Sequence, residues 1–317
     1  MLEKDEKMEK TKMEDMEIRE KVLEYIATLA GQGTAYNTRI SYERDLYRLT
    51  DYLASLHITK ISQPELNETV IQAYLRQMES ERKRPSTIAR SAASIRSFFR
   101  YLEQDGSIKN NPAAQLKIPK VEKDAPHILT PDEVVRLLRQ PQGDTPKAVR
   151  DRAMLELLYA TGIRVSELVE IQVDDINLTM EYLLCSRSAR ERVIPFGRMA
   201  KKSLSDYLEK ARPALVTDPS CTTLFTNLSG QKMSRQGFWK LVRQYAQEAG
   251  IDGEITPHTL RHSFAAHLVN NGADLYAVQE MMGYSDLSAT QIYAKMHHSS
   301  VREVYKKTHP REKEPDA

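Results

Sequence analysis

Apolar positions recur at helical spacing along most of this 317-residue chain, and the pattern is interrupted at few places. Residues 1–16 are a dense mixture of Lys, Glu, Asp and Met, read as a charged, frayed lead-in. Ile18, Val22, Leu23, Tyr25 and Ile26 then predict a first helix, and Ile40, Tyr42, Leu46, Leu49, Tyr52 and Leu53 form one stripe of a second. A third is expected over about Asn67–Ser80 and a fourth over Ser86–Leu102, after the basic turn Arg82-Lys83-Arg84-Pro85. Residues 17–105 therefore read as a four-helix unit. Between Ser107 and Pro126 periodicity fades into Asn110-Asn111-Pro112, Ile118-Pro119-Lys120 and Ala125-Pro126, the punctuation of an extended linker, placed at 106–127.

A second unit, 128–311 with a short tail at 312–317, opens at Leu129-Thr130-Pro131-Asp132-Glu133. Thr130 is set to cap a helix, Pro131 to begin it and Glu133 to close a capping box. Helices dominate again, with one exception. Tyr182–Arg187 and Glu191–Phe196 alternate and are rich in Val, Ile and Leu, predicting a β-hairpin that turns at Ser188-Ala189; Thr222–Thr226 is the expected third strand.

Composition narrows the picture only slightly. A formal net charge of +2, with 28% charged and 40% hydrophobic residues, describes a globular chain and does not announce a nucleic-acid binder. Any polyanion must therefore meet basic residues gathered on one face. The two cysteines, Cys185 and Cys221, lack ligand spacing, so neither zinc nor a disulfide framework is expected, and a reducing cytoplasm is the natural compartment. No secretory signal is read at the N-terminus, and no run approaches the roughly 20 apolar residues that span a bilayer.

Three segments carry chemistry. In Thr256-Pro257-His258-Thr259-Leu260-Arg261 a helix starts, so His258 and Arg261 share one face of its first turn beside free backbone N–H groups. A guanidinium and an imidazole there make an anion site, with a proton carrier near neutral pH. In Gly162-Ile163-Arg164-Val165-Ser166-Glu167, Arg164 follows a glycine that ends one helix, and Glu167 is placed to orient its guanidinium. In Gly283-Tyr284 through Tyr293, Ser288 and Gln291 form a capping box that sets Tyr293 early in a short helix. Each segment alone also reads as an ordinary helix end, a solvated arginine or one packed aromatic among fifteen tyrosines.

Taken together and in this order, the segments resemble the tyrosine recombinase (phage-integrase-like) family, closest to its Xer type. Arg164 falls on the first catalytic arginine, His258 and Arg261 on the HxxR motif and Tyr293 on the nucleophile, nine residues after Tyr284. The stretches Asn37–Leu53 and Ser86–Leu102 resemble the core-binding domain, Asn111-Pro112-Ala113 the linker entry, and His309-Pro310-Arg311 the Xer-like ending. Two positions depart from the pattern. Arg187 stands where the family has a lysine, and no lysine occurs from Arg164 to Ala200. Tyr284 stands where His or Trp is usual, and still offers a hydrogen-bond donor.

The resemblance implies a mainly α fold with a small β-hairpin or three-stranded sheet: an N-terminal four-helix SAM-like core-binding domain and a C-terminal tyrosine recombinase catalytic domain. It implies cleavage and rejoining of double-stranded DNA through a 3′-phosphotyrosine and a Holliday junction, without metal, ATP or other cofactor. Four protomers, alike or of two paralogues and with or without an accessory protein, would act on paired sites. The implied catalytic set is Arg164, Arg187, His258, Arg261, Tyr284 and Tyr293, with Glu167 behind Arg164. Expected DNA contacts are Arg82, Lys83, Arg84, Arg90, Arg96 and Arg100 in the first unit, and Arg190 and Arg192 on the hairpin. Arginine holds its proton too tightly to be a good donor, so Arg187 motivates one alternative, a catalytically weakened DNA-binding accessory paralogue; the other is a relaxing enzyme of the type IB topoisomerase kind, which shares the chemistry and needs no paired sites.

Overall fold

The computed structural model describes residues 17–118, 126–186 and 191–284, and the chain divides into two compact units, Met1–Lys123 and Asp124–Ala317. In the first, four helices occupy the expected stretches: α1 (Glu17–Gly31), α2 (Tyr36–Ser55), α3 (Glu68–Ser80) and α4 (Pro85–Gln104). Local chemistry sets their ends. The Asn67 side chain accepts the Val70 N–H at 3.3 Å to cap α3, and Pro85, whose missing N–H costs nothing in a first turn, opens α4. Their apolar stripes meet in one core, with Ile18 and Val22 from α1, Leu46 and Leu53 from α2, Ile71 from α3, and Ile95, Phe98 and Phe99 from α4.

The first part of the stretch expected as linker packs with the helices, and residues 119–125 lie outside the described residues. Residues 107–118 stay with the first unit: Ala113 and Leu116 are buried in its core, and Ile108 and Ile118 pack against it. Asn111 makes the turn, accepting the Ala113 N–H at 2.9 Å and donating to Glu103 at 3.0 Å. Asn and Pro here shape a packed turn that returns the chain to the helices.

In the second unit α5 (Pro131–Leu138) starts as read. Thr130 accepts the Glu133 N–H, and the Glu133 carboxylate accepts the Thr130 N–H at 2.8 Å. α6 (Pro146–Thr161) has Ala153, Met154, Leu155, Leu157 and Leu158 all fully buried, so it runs through the core instead of lying on it. After the single-turn α7 (Val165–Leu168) comes an antiparallel sheet in the order β1 (Ile176–Asn177), β2 (Tyr182–Leu184), β3 (Val193–Pro195), with Leu183 paired to Ile176 on one side and Ile194 on the other. The hairpin is as expected; the third strand is not. Thr223 and Thr226 form only isolated bridges, to Gln172 and Lys232. Leu224, Phe225 and Thr226 are buried in succession, so this segment threads the core, whereas a strand on a half-covered sheet would alternate.

A helical run follows, α8 (Arg198–Asp206), a π-wound turn at Tyr207–Ala211 and α9 (Arg212–Leu215), then α10 (Arg235–Glu248), α11 (Pro257–Asn270) and α12 (Leu275–Met282). α11 packs against α6 and α12. It also holds the start of the unit: Ser263 accepts the Leu129 N–H at 2.9 Å, and one turn later His267 Nε2 donates to the Leu129 carbonyl at 2.8 Å. That bond fixes the tautomer, so Nδ1 accepts from the Tyr159 hydroxyl, also at 2.8 Å. Among the described residues no helix is long and apolar enough to cross a membrane.

Candidate active site

The site is built where three helix ends of the second unit meet. α6 ends at Gly162, whose φ of +58° is the left-handed conformation and whose added Cβ would fall 2.2 Å from the Phe264 ring of α11. No side chain fits there, so the backbone passes close against α11 and its carbonyl accepts a bond from Arg261 Nη1. Two residues on, Arg164 caps α7. Its backbone N–H donates to Glu167 Oε2 at 2.7 Å, its Nη1 to Glu167 Oε1 at 3.2 Å and its Nη2 to the Gly283 carbonyl at 3.0 Å.

α11 brings in Arg261. Thr256 caps this helix and Pro257 opens it, so His258 and Arg261 lie in its first turn. Arg261 is 3% exposed, and its Nη2 donates to the Met282 carbonyl at 2.6 Å. The end of α12 is therefore shared among three guanidiniums, one per successive carbonyl: Arg192 Nε on Met281 at 2.8 Å, Arg261 on Met282, and Arg164 on Gly283. Last-turn carbonyls have no helical partner and carry the negative end of the helix dipole, which suits them to arginine. The Tyr284 ring follows at once, its centroid 5.0 Å from Arg261 Cζ and 5.9 Å from Arg164 Cζ.

Three arginines face one carboxylate, so the site keeps an excess of positive charge. Burial by itself would raise the Glu167 carboxyl, but hydrogen bonds from Arg192 and the Arg164 backbone, with the charges of both, hold it below the usual range. His258 is shifted the other way from a salt-bridged histidine. Partial desolvation, then the charges of Arg261 and Arg164, lower its pKa, so the imidazole is neutral and able to accept a proton at physiological pH. Burial lowers Arg261 as well, from a starting value so high that it stays charged.

A profile of the phage integrase family matches residues 127–300, and one of the phage integrase N-terminal SAM-like domain matches residues 22–106. The tyrosine recombinase XerD of Listeria innocua is 44% identical over 283 residues, covering 88% of this chain and 95% of that protein. The chain belongs to the tyrosine recombinase family. XerD of Halalkalibacterium halodurans is 42% identical over 281 residues, covering 88% of this chain and 94% of that protein. Two solved structures share the fold. XerH recombinase in a post-cleavage complex with palindromic difH substrate has a TM-score of 0.71 at 19% identity, over 87% of this chain and 81% of that one. The Tn1549 transposon integrase with circular intermediate DNA also has a TM-score of 0.71 at 19% identity, over 92% and 99%.

Of the recombinase residues expected from sequence, Arg164, Glu167, Arg261 and Tyr284 come together in this cluster, and His258 stands one helical turn before Arg261. Arg187, Arg190 and Tyr293 lie outside the described residues. Arg192 is a correction: expected as a DNA contact on the hairpin, it is 7% exposed, with its guanidinium closed on Glu167 at 2.9 and 3.0 Å and on the Met281 carbonyl. Arg90 is exposed, with its Nε and Nη2 both bonded to the buried Asp45, at 2.8 and 3.0 Å. Arg82, Lys83, Arg84 and Arg100 are exposed, Lys83 beside Glu81 at 3.3 Å, and Arg96 is half-buried. The carbonyls of α12 were missed as functional groups; Gly283, which ends that helix, was their one trace in the sequence.

Proposed function

We propose that this recombinase cleaves and rejoins double-stranded DNA with Arg164, His258 and Arg261 gathered on one scissile phosphate and Tyr293 as nucleophile. The phenol oxygen attacks phosphorus, a 3′-phosphotyrosine forms and the bond to the 5′ oxygen breaks, that oxygen taking a proton from solvent water to leave as a hydroxyl. The phosphodiester bond energy is kept in the covalent intermediate, so rejoining by the 5′-hydroxyl of a partner strand needs no external energy source. Arg164 and Arg261 hold the non-bridging oxygens and offset the charge that develops on them. His258 takes the phenolic proton, Tyr284 donates to a phosphate oxygen, and Arg187 stabilises the departing oxygen in place of a lysine.

The observation that carries this reading is the meeting of Arg164 and Arg261, far apart in the sequence, on adjacent carbonyls of one helix end beside Tyr284. In the first unit the exposed Arg84 and Arg100 of α4 and its basic approach would contact DNA phosphates. Similarity to XerD over most of both chains supports exchange between two paired sites through a Holliday junction by a tetramer, with chromosome-dimer resolution as the task. A nicked suicide duplex bearing the recombination site tests the chemistry: covalent protein–DNA adduct is expected from the wild type and none from Tyr293→Phe. Tight binding without adduct would leave a DNA-binding paralogue, and relaxation of a plasmid lacking the site would favour a topoisomerase-like enzyme.

A further inference from the structure

Arg192 has more to do than fill the hairpin's inner side. Its Nη1 and Nη2 each take one oxygen of Glu167, at 2.9 and 3.0 Å, while the Arg164 guanidinium reaches the same carboxylate through a single, longer bond of 3.2 Å. The side chains differ as sharply in exposure, 4% for Arg192 against 39% for Arg164. Two of the five Arg164 donors are engaged among the described residues, by Glu167 and by Gly283. The same Arg192 grips the Met281 carbonyl, and a Cβ on Gly283 would lie 2.8 Å from its Cζ, so the backbone of that helix end is closed directly against its guanidinium.

We propose that Arg192 is a positioning residue for strand cleavage: it takes up the charge of Glu167, so that Glu167 orients Arg164 without neutralising it. The inference rests on the reading that Arg164 binds the scissile phosphate. Without Arg192 the carboxylate, itself 9% exposed, has Arg164 as its remaining cation of this trio and draws the guanidinium into a closed ion pair. Phosphate would then have to break that pair. The bidentate fork matters because one planar guanidinium satisfies both carboxylate oxygens at once, which a lysine cannot do.

The test is single-turnover cleavage of the nicked suicide duplex at saturating DNA, with DNA affinity measured separately. Arg192→Met is expected to slow cleavage roughly 10- to 100-fold, the range typical when a supporting partner of an active-site group is lost, with DNA affinity changed far less. Adding Glu167→Gln removes the unbalanced carboxylate and is expected to restore several-fold of the lost rate. Arg192→Lys, alone and with Glu167→Gln, gives the same comparison if the methionine variant does not fold. Rates are taken per folded protein, because Glu167→Gln also relieves the folding cost of an unpaired buried carboxylate; on that basis a rate equal to wild type, or a double variant no faster than the single one, would overturn the proposal. Absence of adduct from the wild type would bring down the functional reading and this inference with it, whereas adduct with no Arg192 effect brings down the inference alone.

Discussion

The two units use arginine in opposite ways. On α4 the basic residues are mostly exposed, and Arg90 is matched one for one with the buried Asp45 by two hydrogen bonds, a pairing that consumes its charge in folding. In the second unit Arg192 closes on Glu167 much as Arg90 does on Asp45, whereas Arg164 and Arg261 fasten to the backbone carbonyls of Gly162, Met282 and Gly283, which orient them without cancelling them. A carbonyl dipole holds a guanidinium in place and leaves its net charge for a ligand; a carboxylate does not. Residue type is the same in both places, and the acceptor decides whether the charge is available.

The comparison breaks most visibly at Arg261. Arg261→Ala removes a charge aimed at the phosphate and leaves the Gly162 and Met282 carbonyls without it, so adduct formation should fall by about 100- to 1,000-fold and Tm should drop as well. By contrast Arg90→Ala should leave cleavage at saturating DNA near wild type while lowering stability by roughly 1–3 kcal/mol in denaturant titration, the half-exposed arginine being partly screened by solvent. Equal losses of activity in both variants would erase the distinction.

Acidity sharpens the contrast further. Because the His258 pKa is lowered, the neutral base persists as pH falls below about 6.5, where an unperturbed histidine is half protonated. The acid limb of the cleavage profile should therefore lie below that value and disappear in His258→Gln. The sign for stability is the same: protonation is disfavoured in the folded state, so this group's contribution is complete above about pH 6.5 and lost on acidification. The smallest effect belongs to the exposed face of α4. Arg100→Ala should weaken DNA binding modestly and reduce the slope of log affinity against log salt by about 1.

Helix ends carried most of what the sequence made legible. Thr130, Thr256 with Pro257, and Gly162 are local signals whose bonds form within a few residues, so their reading does not depend on the rest of the chain. The misreadings were non-local. Asn111-Pro112 looks like a linker until Ala113 and Leu116 are seen in the helical core, where Leu116→Ala should cost about 2–5 kcal/mol in denaturant titration. Arg192 sits in a hairpin that reads as basic and solvent-facing, and only contact with a helix end about ninety residues later shows that it turns inward. Thr222–Thr226 has the composition of a strand, but a run of buried neighbours is decided by what surrounds it.

The claim at the centre is that Arg164 and Arg261 hold the non-bridging oxygens of one phosphodiester. Replacing a single non-bridging oxygen at the scissile position by a methyl group removes the negative charge that those guanidiniums are proposed to offset. Cleavage of that methylphosphonate should depend much less on Arg164 than cleavage of the natural phosphate, so the penalty of Arg164→Ala should shrink by at least tenfold. An Arg164→Ala penalty of the same size on both substrates would contradict the account.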